Sequence, residues 1–293
     1  RLFIALLAPR GIVAAAVASL FAQQLAARGV ADAEALRGLV FLVIAVTVTV
    51  HGLSGPFIAR ALDVRRPSRN GYVILGANAL ARTLGGVLRD DDHELVLIDN
   101  NAERVVAAEA AGFSVLYGQG LQSSVLARAE VDTRIGCIAL TPNEEVNLLF
   151  IARVRDESRI PKRYIALRRE HDGIPAENAH ELGATVLFGR SRRLDRWNER
   201  LELDDATVEQ WTRALSQSAP SADDDPIIHS DMLLILAVRR RGRLQPFDDE
   251  TTLGAKEEVV VAIANERLRE AEALLRKNGW SPAESEARAT AAT

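Results

Sequence analysis

The sequence is poor in the residues that build disulfide frameworks and metal centres. Its 293 residues hold one cysteine, Cys137, which excludes an internal disulfide framework and fits a reducing compartment. No His or Cys cluster has the spacing of a metal site, so no metal is expected. The formal net charge of −4 predicts no broad basic surface, and we therefore expect no nucleic-acid partner.

Residue patterns typical of hydride transfer are also missing. No Tyr-x-x-x-Lys or Cys constellation occupies a plausible position for such chemistry. His93, His171 and His180 have no spaced partners, and surface or capping roles are expected for them. The chain is therefore not predicted to be an enzyme.

What the sequence does contain is a strongly apolar N-terminal part. From Gly38 to Ala59 there is no Asp, Glu, Lys or Arg, and a bilayer core of about 30 Å needs about twenty apolar residues in a helix. An earlier apolar segment, 2–27, carries small residues at four-residue spacing, which allows close packing of membrane helices. Alone, that segment fits an alanine-rich soluble helix equally well. Together, the two segments predict two transmembrane helices within residues 1–66.

Flanking charges predict the orientation of these helices. Four basic residues follow the second segment, opposed only by Asp63: Arg60, Arg65, Arg66 and Arg69. The basic side is expected to be cytoplasmic, which predicts a multi-pass protein of the inner membrane with cytoplasmic C-terminal domains. Arg10 is a candidate transport residue, with snorkelling to the interface as the alternative. The chain opens at Arg1 within an apolar run, and we expect it to be the C-terminal part of a longer protein.

Strand and helix patterns alternate from residue 70 to 201, which predicts a doubly wound parallel α/β sheet of the Rossmann type. The predicted strands are Tyr72–Leu75, Glu94–Ile98, Ser114–Tyr117, Ile135–Leu140 and Arg163–Leu167. The predicted helices are Asn78–Leu88, Ala102–Ala111, Val125–Arg128, Glu144–Asp156 and Ala176–Leu182.

Two features of this region predict a nucleotide site. Gly76 follows the first strand in a strand-to-helix turn, where backbone N–H groups attract phosphate. Asp99 closes the second strand at the spacing where a carboxylate accepts from both ribose hydroxyls, and Asn100 beside it adds no positive charge. The dinucleotide fingerprint is altered, with Asn78 and Ala81 at its second and third glycine positions. The expected cofactor is NAD(H) or another adenine nucleotide.

These motifs resemble those of an RCK domain of the TrkA-N type, which gates potassium channels and transporters. The resemblance rests on Gly76-Ala77-Asn78, Val96-Leu97-Ile98-Asp99, Val115-Leu116-Tyr117-Gly118 and Thr141-Pro142-Asn143-Glu144-Glu145-Val146-Asn147. It implies ligand positions at Gly76, Ala77, Asn78, Asp99, Gly118 and Thr141. Gln119 and Asn143 replace two acidic residues of the family pattern, which argues against metal-linked regulation.

The N-terminal part resembles the last two helices of NhaP-type sodium/proton antiporters. The resemblance rests on the segments Ala8-Pro9-Arg10-Gly11-Ile12-Val13-Ala14 and Phe41-Leu42-Val43-Ile44-Ala45-Val46-Thr47-Val48. This resemblance implies a cation (sodium or potassium)/proton antiporter, regulated by its cytosolic nucleotide-binding domain and paired as a homodimer. A potassium channel or uptake component and a membrane-anchored NAD-dependent oxidoreductase are the alternatives.

The C-terminal part, 202–280, is predicted to be a small α+β module. Strand patterns at Met232–Val238 and Val259–Ile263 flank a basic turn, and Leu268–Lys277 reads as an amphipathic helix. The module weakly resembles the TrkA-C modules that accompany RCK domains. The run Arg239-Arg240-Arg241 is predicted to be a solvated hairpin turn rather than an anion site. The tail 281–293 is predicted to be disordered.

Overall fold

The computed structural model describes residues 12–30, 33–61, 70–168, 173–190, 192–214 and 226–283. The chain forms two compact units, Arg1–Ser68 and Arg69–Thr293. The first unit contains helices α1 (Ile12–Ala27) and α2 (Ala33–Ala61). Helix α1 lies within the first predicted apolar segment, and α2 contains the second, Gly38–Ala59.

The prediction that these two helices cross a membrane is not confirmed. In the described part of the chain, no helix is both long enough and apolar enough to span a membrane. Large apolar side chains of α2 are nevertheless more than half exposed: Leu39, Phe41, Leu42, Val43, Val46, Val48, Val50 and Leu53.

The second unit begins with an alternation of strands and helices, as predicted. Its strands are β1 (Tyr72–Leu75), β2 (Leu95–Asp99), β3 (Ser114–Tyr117), β4 (Gly136–Ala139), β5 (Lys162–Ile165) and β6 (Thr185–Val186). The helices between them are α3 (Ala79–Arg89), α4 (Ala102–Ala110), α5 (Ser123–Arg128), α6 (Glu144–Glu157) and α7 (Ala176–Glu181). The strands pair in parallel in the order β3-β2-β1-β4-β5-β6, which confirms the predicted doubly wound sheet.

A second, antiparallel sheet follows helix α8 (Leu194–Glu202). It is built from β7 (Ala206–Arg213), β8 (Leu233–Arg240), β9 (Arg243–Pro246), β10 (Glu258–Ala264) and β11 (Trp280–Pro282), in the order β11-β7-β10-β8-β9. Helices α9 (Pro226–His229) and α10 (Leu268–Lys277) accompany it. The predicted α+β character of the C-terminal part is confirmed.

The two sheets share hydrophobic core through helix α3. Its buried residues Leu80, Leu84 and Leu88 recur every four positions, as an amphipathic helix requires. They belong to one cluster with Leu97 of the parallel sheet and Leu236 of the antiparallel sheet. Residues 69–293 consequently form one compact unit rather than two.

Two expectations for the C-terminal part are wrong in part. Residues 284–293 of the predicted disordered tail lie outside the described residues, and the predicted hairpin turn is present between β8 and β9. Ser281 and Pro282 are not disordered, because β11 pairs with β7 through Ser281↔Thr212 and Pro282↔Trp211. The arginines at the end of β8 are not simply solvated. Arg239 bonds to Asp91 and Glu258, and Arg240 bonds to Glu257.

Candidate functional site

The strand order of the parallel sheet reverses between β1 and β4. Ligands of such sheets bind at this point, outside the carboxyl ends of the strands. Gly76 begins the turn after β1 with φ of +110°. A Cβ at this position would lie 2.7 Å from the Leu140 carbonyl oxygen, so only glycine lets the turn approach the end of β4 so closely.

Asp99 ties the end of β2 to this turn. Its Oδ2 accepts from the Ala77 N–H at 2.8 Å, and its Oδ1 accepts from the Asn101 N–H at 2.9 Å. Arg104 Nη1 lies 3.9 Å from Oδ2. Asp99 is 6% exposed, and an ionised carboxylate has about four lone-pair positions, so two acceptor positions remain beyond these bonds. Asn100 is exposed beside it.

Asn78 fills the position where the dinucleotide fingerprint has its second glycine. As N-cap of α3, its Oδ1 accepts from the Ala81 N–H at 2.9 Å. Its Nδ2 donates to the Leu140 carbonyl, also at 2.9 Å. Ala81 is fully buried, consistent with close packing at the third fingerprint position. The side chain of Asn78 therefore holds together two of the segments that form the site.

The remaining predicted residues, Gly118 and Thr141, lie on the two sides of this turn. The Gly118 N–H donates to the Asp99 carbonyl at 3.0 Å, which brings the end of β3 against β2. Thr141 follows β4, and its hydroxyl donates to Asn147 Oδ1 at 2.7 Å. Asn147 in turn donates to the Ala166 carbonyl after β5. The predicted ligand positions between residues 70 and 201 thus lie at one edge of the sheet, where Asn78 and Thr141 also line a cleft. Arg10 lies outside the described residues.

A cleft of about 210 Å³ opens at this edge of the sheet. Asn78, Thr141 and Pro142 line it, together with Arg168 after β5 and Asn198 on α8. Larger cavities of about 400 and 530 Å³ involve the antiparallel sheet and not this edge. The position of the smaller cleft at the change of strand direction makes it the candidate ligand site.

Arg168 and Asn198 were missed by sequence reasoning. Arg168 lies 4.0 Å from the buried carboxylate of Glu144, and its Nε has no hydrogen-bond partner among the described residues. Its place directly after a predicted strand was an available signal. Asn198 gave no such signal, because it reaches the Leu80 N–H at 3.4 Å only after α8 folds back onto α3.

Among the described residues, the cysteine and the histidines do not line this cleft. Burial raises the pKa of the Cys137 thiol to about 12, so this side chain is not a nucleophile at neutral pH. His93, for which a surface or capping role was expected, is 5% exposed, and its Nε2 lies 2.8 Å from the Leu244 carbonyl. His180 pairs with Asp249 at 2.8 Å, and His171 lies outside the described residues. In the described ranges, no group of three His, Cys, Asp or Glu side chains could hold a metal ion.

The parallel sheet of this chain is similar to a known domain. Residues 72–189 match the family model of the TrkA-N domain. A curated relative, the Trk system potassium uptake protein TrkA homolog of Methanothermobacter thermautotrophicus, is 36% identical over 93 residues. The match covers 31% of this chain and 42% of that relative. The chain therefore spans less than half the length of this relative.

Solved structures show weaker similarity. The TrkA-N domain of the Escherichia coli inner membrane protein ybaL is 19% identical, with a TM-score of 0.38 and coverage of 47% of this chain and 97% of that one. The GsuK channel bound to NAD is 20% identical, with a TM-score of 0.37 and coverage of 87% and 49%. A further GsuK structure is bound to ADP. The similarity of this chain to a TrkA-N domain therefore rests on the match to the family model and on the curated relative.

Proposed function

We propose that this chain, whose residues 72–189 form a TrkA-N domain, is a regulatory part of a potassium transport system and binds an adenine nucleotide. The observation that carries the nucleotide proposal is the Ala77–Asp99 contact. It fixes a carboxylate beside the turn after β1, at the edge where the strand order reverses. A carboxylate in that place accepts from the two ribose hydroxyls of NAD or of an unphosphorylated adenosine.

The surrounding residues support the choice of an unphosphorylated ribose. Asn100 and Asn101 follow Asp99, and the Arg104 guanidinium lies 3.9 Å from the Asp99 carboxylate itself. A 2′-phosphate would be opposed by the negative charge of Asp99. Arg168 lines the cleft from the other side and supplies a guanidinium for the phosphates. NAD(H), AMP, ADP and ATP all carry this combination of ribose and phosphate.

The potassium proposal comes from the Methanothermobacter relative, whose name states potassium uptake. A nucleotide can regulate transport only if it binds two conformations with different affinity. Helix α3 supports such coupling, because its N-terminus forms the site while its buried face packs into the core shared with the antiparallel sheet. We propose a regulatory role, and no catalytic role, for the domain.

A cation/proton antiporter is the narrower candidate, and it rests on the sequence resemblance of residues 1–66. The exposed apolar side chains of α2 favour it, since a row including Leu39, Leu42 and Leu53 requires cover by lipid or by further protein. In this proposal the carried ions are a monovalent cation and a proton, and the protein is a homodimer of the inner membrane. Flux of sodium, potassium and protons through reconstituted vesicles separates the antiporter from a potassium channel or uptake component.

The nucleotide proposal is tested by ligand binding to the full chain. NAD, NADH, AMP, ADP and ATP are titrated by calorimetry, and the melting temperature is measured with each. A ligand at a hundred times its dissociation constant stabilises the folded state by about 2.7 kcal/mol, which raises the melting temperature by several degrees. The comparison variant is Asp99→Asn, which keeps an oxygen for the Ala77 N–H but removes the charge. Asp156→Asn, at an exposed position on α6, is the matched control.

We expect Asp99→Asn to weaken binding at least tenfold, equivalent to about 1.4 kcal/mol, and Asp156→Asn to leave it unchanged. Equal binding by both variants would remove Asp99 from the site. Absence of binding for all five nucleotides would reduce the domain to a scaffold without a ligand.

A further inference from the structure

A cavity of about 400 Å³ lies at the opposite edge of the parallel sheet from the nucleotide cleft. Its walls include the first residues of β5 and β6, Lys162 and Thr185. The antiparallel sheet closes it with Arg240 and with Gln245 and Asp248 from β9 and the segment after it. A ligand in this cavity would contact both sheets of the unit.

Among the described residues, two cations at this cavity, Lys162 and Arg163, have no acidic partner within 4.0 Å. Lys162 Nζ donates to Gln245 Oε1 at 2.6 Å. The Arg163 guanidinium donates to the carbonyl oxygens of Ile160 and Gly183 at 3.0 and 3.1 Å. Within the described residues, no carboxylate oxygen lies within 4.0 Å of either cationic group. An ammonium has three donors and a guanidinium five, so both retain hydrogen-bonding capacity.

Of the acids near the cavity, Asp248 and Asp249 are held by other groups, and Glu250, which also lines it, is exposed. Asp248 accepts from the hydroxyls of Thr185 and Thr251 at 2.9 and 2.5 Å. Asp249 pairs with His180 at 2.8 Å and accepts from the Val186 N–H at 2.8 Å. Both carboxylates therefore have hydrogen-bond partners other than Lys162.

The electrostatic environment of Lys162 favours a bound anion. Burial lowers the pKa of its ammonium group. The charge of Asp248 opposes this shift, and Arg240 and Arg241 add to it. An anion beside the ammonium would offset both the desolvation and the repulsion by the two arginines.

Gly183 provides the space that Arg163 occupies at the cavity wall. A Cβ at this position would lie 2.6 Å from Arg163 Nη2, and the φ of +66° is also one that glycine adopts readily. The Arg163 guanidinium thus occupies the space that a side chain at position 183 would fill.

We propose that this cavity binds a small oxyanion-bearing metabolite, a phosphate or a carboxylate, through Lys162 and Arg163. Gln245 and Thr185 supply neutral hydrogen-bonding groups at the same site. The ligand would bridge β5 and β6 of the parallel sheet to the antiparallel sheet. This site is separate from the nucleotide cleft and does not depend on it.

The test is calorimetric titration of the full chain with inorganic phosphate and, separately, with citrate, at constant ionic strength maintained with chloride. We expect saturable binding of at least one of the two anions, and the one that binds identifies the ligand chemistry. Lys162→Met should weaken it at least tenfold, whereas Lys162→Arg, which keeps the charge, should change it less than about threefold. Lys277→Met at the exposed end of α10 is the control for net charge.

A second variant tests the site while keeping Lys162. Gln245→Glu places a carboxylate against Nζ, and this internal anion should compete with the ligand and abolish binding. Absence of binding by both anions, or equal binding by wild type, Lys162→Met and Gln245→Glu, would overturn the proposal.

Discussion

The Asp91 carboxylate after α3 accepts a hydrogen bond from the Arg239 guanidinium on β8, with 2.5 Å between Oδ1 and Nη1. Its other oxygen accepts from the Leu244 N–H at 2.7 Å. The two bonds fix the parallel sheet's first crossover against the β8–β9 hairpin. Burial acts to raise the pKa of Asp91, but the Arg239 bond, the Leu244 bond and the charges of Arg239 and His93 lower it below its usual value.

We expect the Asp91–Arg239 pair to stabilise the unit by roughly 1 kcal/mol of coupling free energy, because the pair is only partly exposed. Asp91→Ala, Arg239→Ala and the double variant form the cycle, measured by urea unfolding at neutral pH. Asp90→Ala, an exposed neighbour, is the control.

The pH dependence of this coupling follows from the sign of the shift. A carboxyl group whose pKa is lowered by folding stabilises the folded state at pH values above its unfolded-state pKa, which is about 3.9 for Asp. That contribution disappears as the pH falls through the folded value. Coupling that persists undiminished below the folded pKa would contradict an ionic contact.

His93 predicts a second pH effect at higher pH. Its Nε2 lies 2.8 Å from the Leu244 carbonyl, while its buried Nδ1 has no partner among the described residues. Burial lowers the pKa of His93, the Leu244 bond and Asp91 oppose this, and Arg243 and Lys162 add to it. The Tyr72 ring packs against the imidazole at 5.3 Å between centroids. The folded protein therefore favours the neutral imidazole.

The pKa of His93 is lower in the folded protein than in the unfolded chain, where it is about 6.5. At a pH between these two pKa values, the unfolded chain binds more protons at His93 than the folded chain does. The free energy of unfolding should therefore fall as the pH drops below about 6.5. His93→Gln, which can still donate to Leu244, should flatten this dependence between pH 7.5 and 5.5. His180→Gln, at a side chain that is 46% exposed, should retain it. An unchanged slope in His93→Gln would assign the effect to other groups.

Much of the parallel sheet follows from local sequence. The strands Tyr72–Leu75 and Ser114–Tyr117 and the helix Leu268–Lys277 have the predicted bounds, because each carries its own apolar period and its own turn residues. The helix α8 and the strands β6, β7 and β11 were not predicted. Helix α8 buries only Leu194 and Trp197, and the short strands β6 and β11 exist through their partners rather than through a pattern of their own.

The site divides in the same way. Gly76 and Asp99 were predictable because chain spacing alone places them at neighbouring strand ends. The contribution of Arg168 depends on the order of β4 and β5 in the sheet, and that of Asn198 depends on a helix packed back against α3. Tertiary arrangement, and not local propensity, determines these two positions.

The side chain of Asn78 stabilises the fold, but it also limits the approach of a ligand to the backbone. Asn78→Gly removes the bonds to Ala81 and Leu140, and we expect it to lower the free energy of unfolding by about 1–2 kcal/mol. The same change lets a pyrophosphate approach the backbone as it does at the usual glycine, so nucleotide affinity should rise. Urea unfolding and calorimetric titration of one protein preparation measure both quantities.

Asn78→Asp is the matched variant for this test. Its carboxylate keeps an acceptor for the Ala81 N–H but loses the donor to Leu140, and its charge opposes the phosphates. Nucleotide affinity should fall in Asn78→Asp while it rises in Asn78→Gly. A parallel change in both variants would show that the side chain does not occupy the phosphate position.

Trp280 tests whether the closing strand is part of the core. Its side chain is 2% exposed, and it clusters with Trp211 and Leu275. The Arg213 guanidinium lies 5.5 Å from the centroid of the Trp280 ring. Trp280 of β11 also pairs with Arg213 of β7. Trp280→Ala should therefore lower the free energy of unfolding by about 3–5 kcal/mol.

Trp280→Phe should cost much less than this, because it keeps most of the apolar volume and removes an indole N–H that has no hydrogen-bond partner in the described part of the chain. Ser281→Ala, at an exposed side chain of the same strand, should be close to neutral. Urea unfolding of the three variants gives the comparison. If Trp280→Ala cost less than about 1 kcal/mol, the buried position of β11 would be wrong, because full burial of an indole is incompatible with so small a loss.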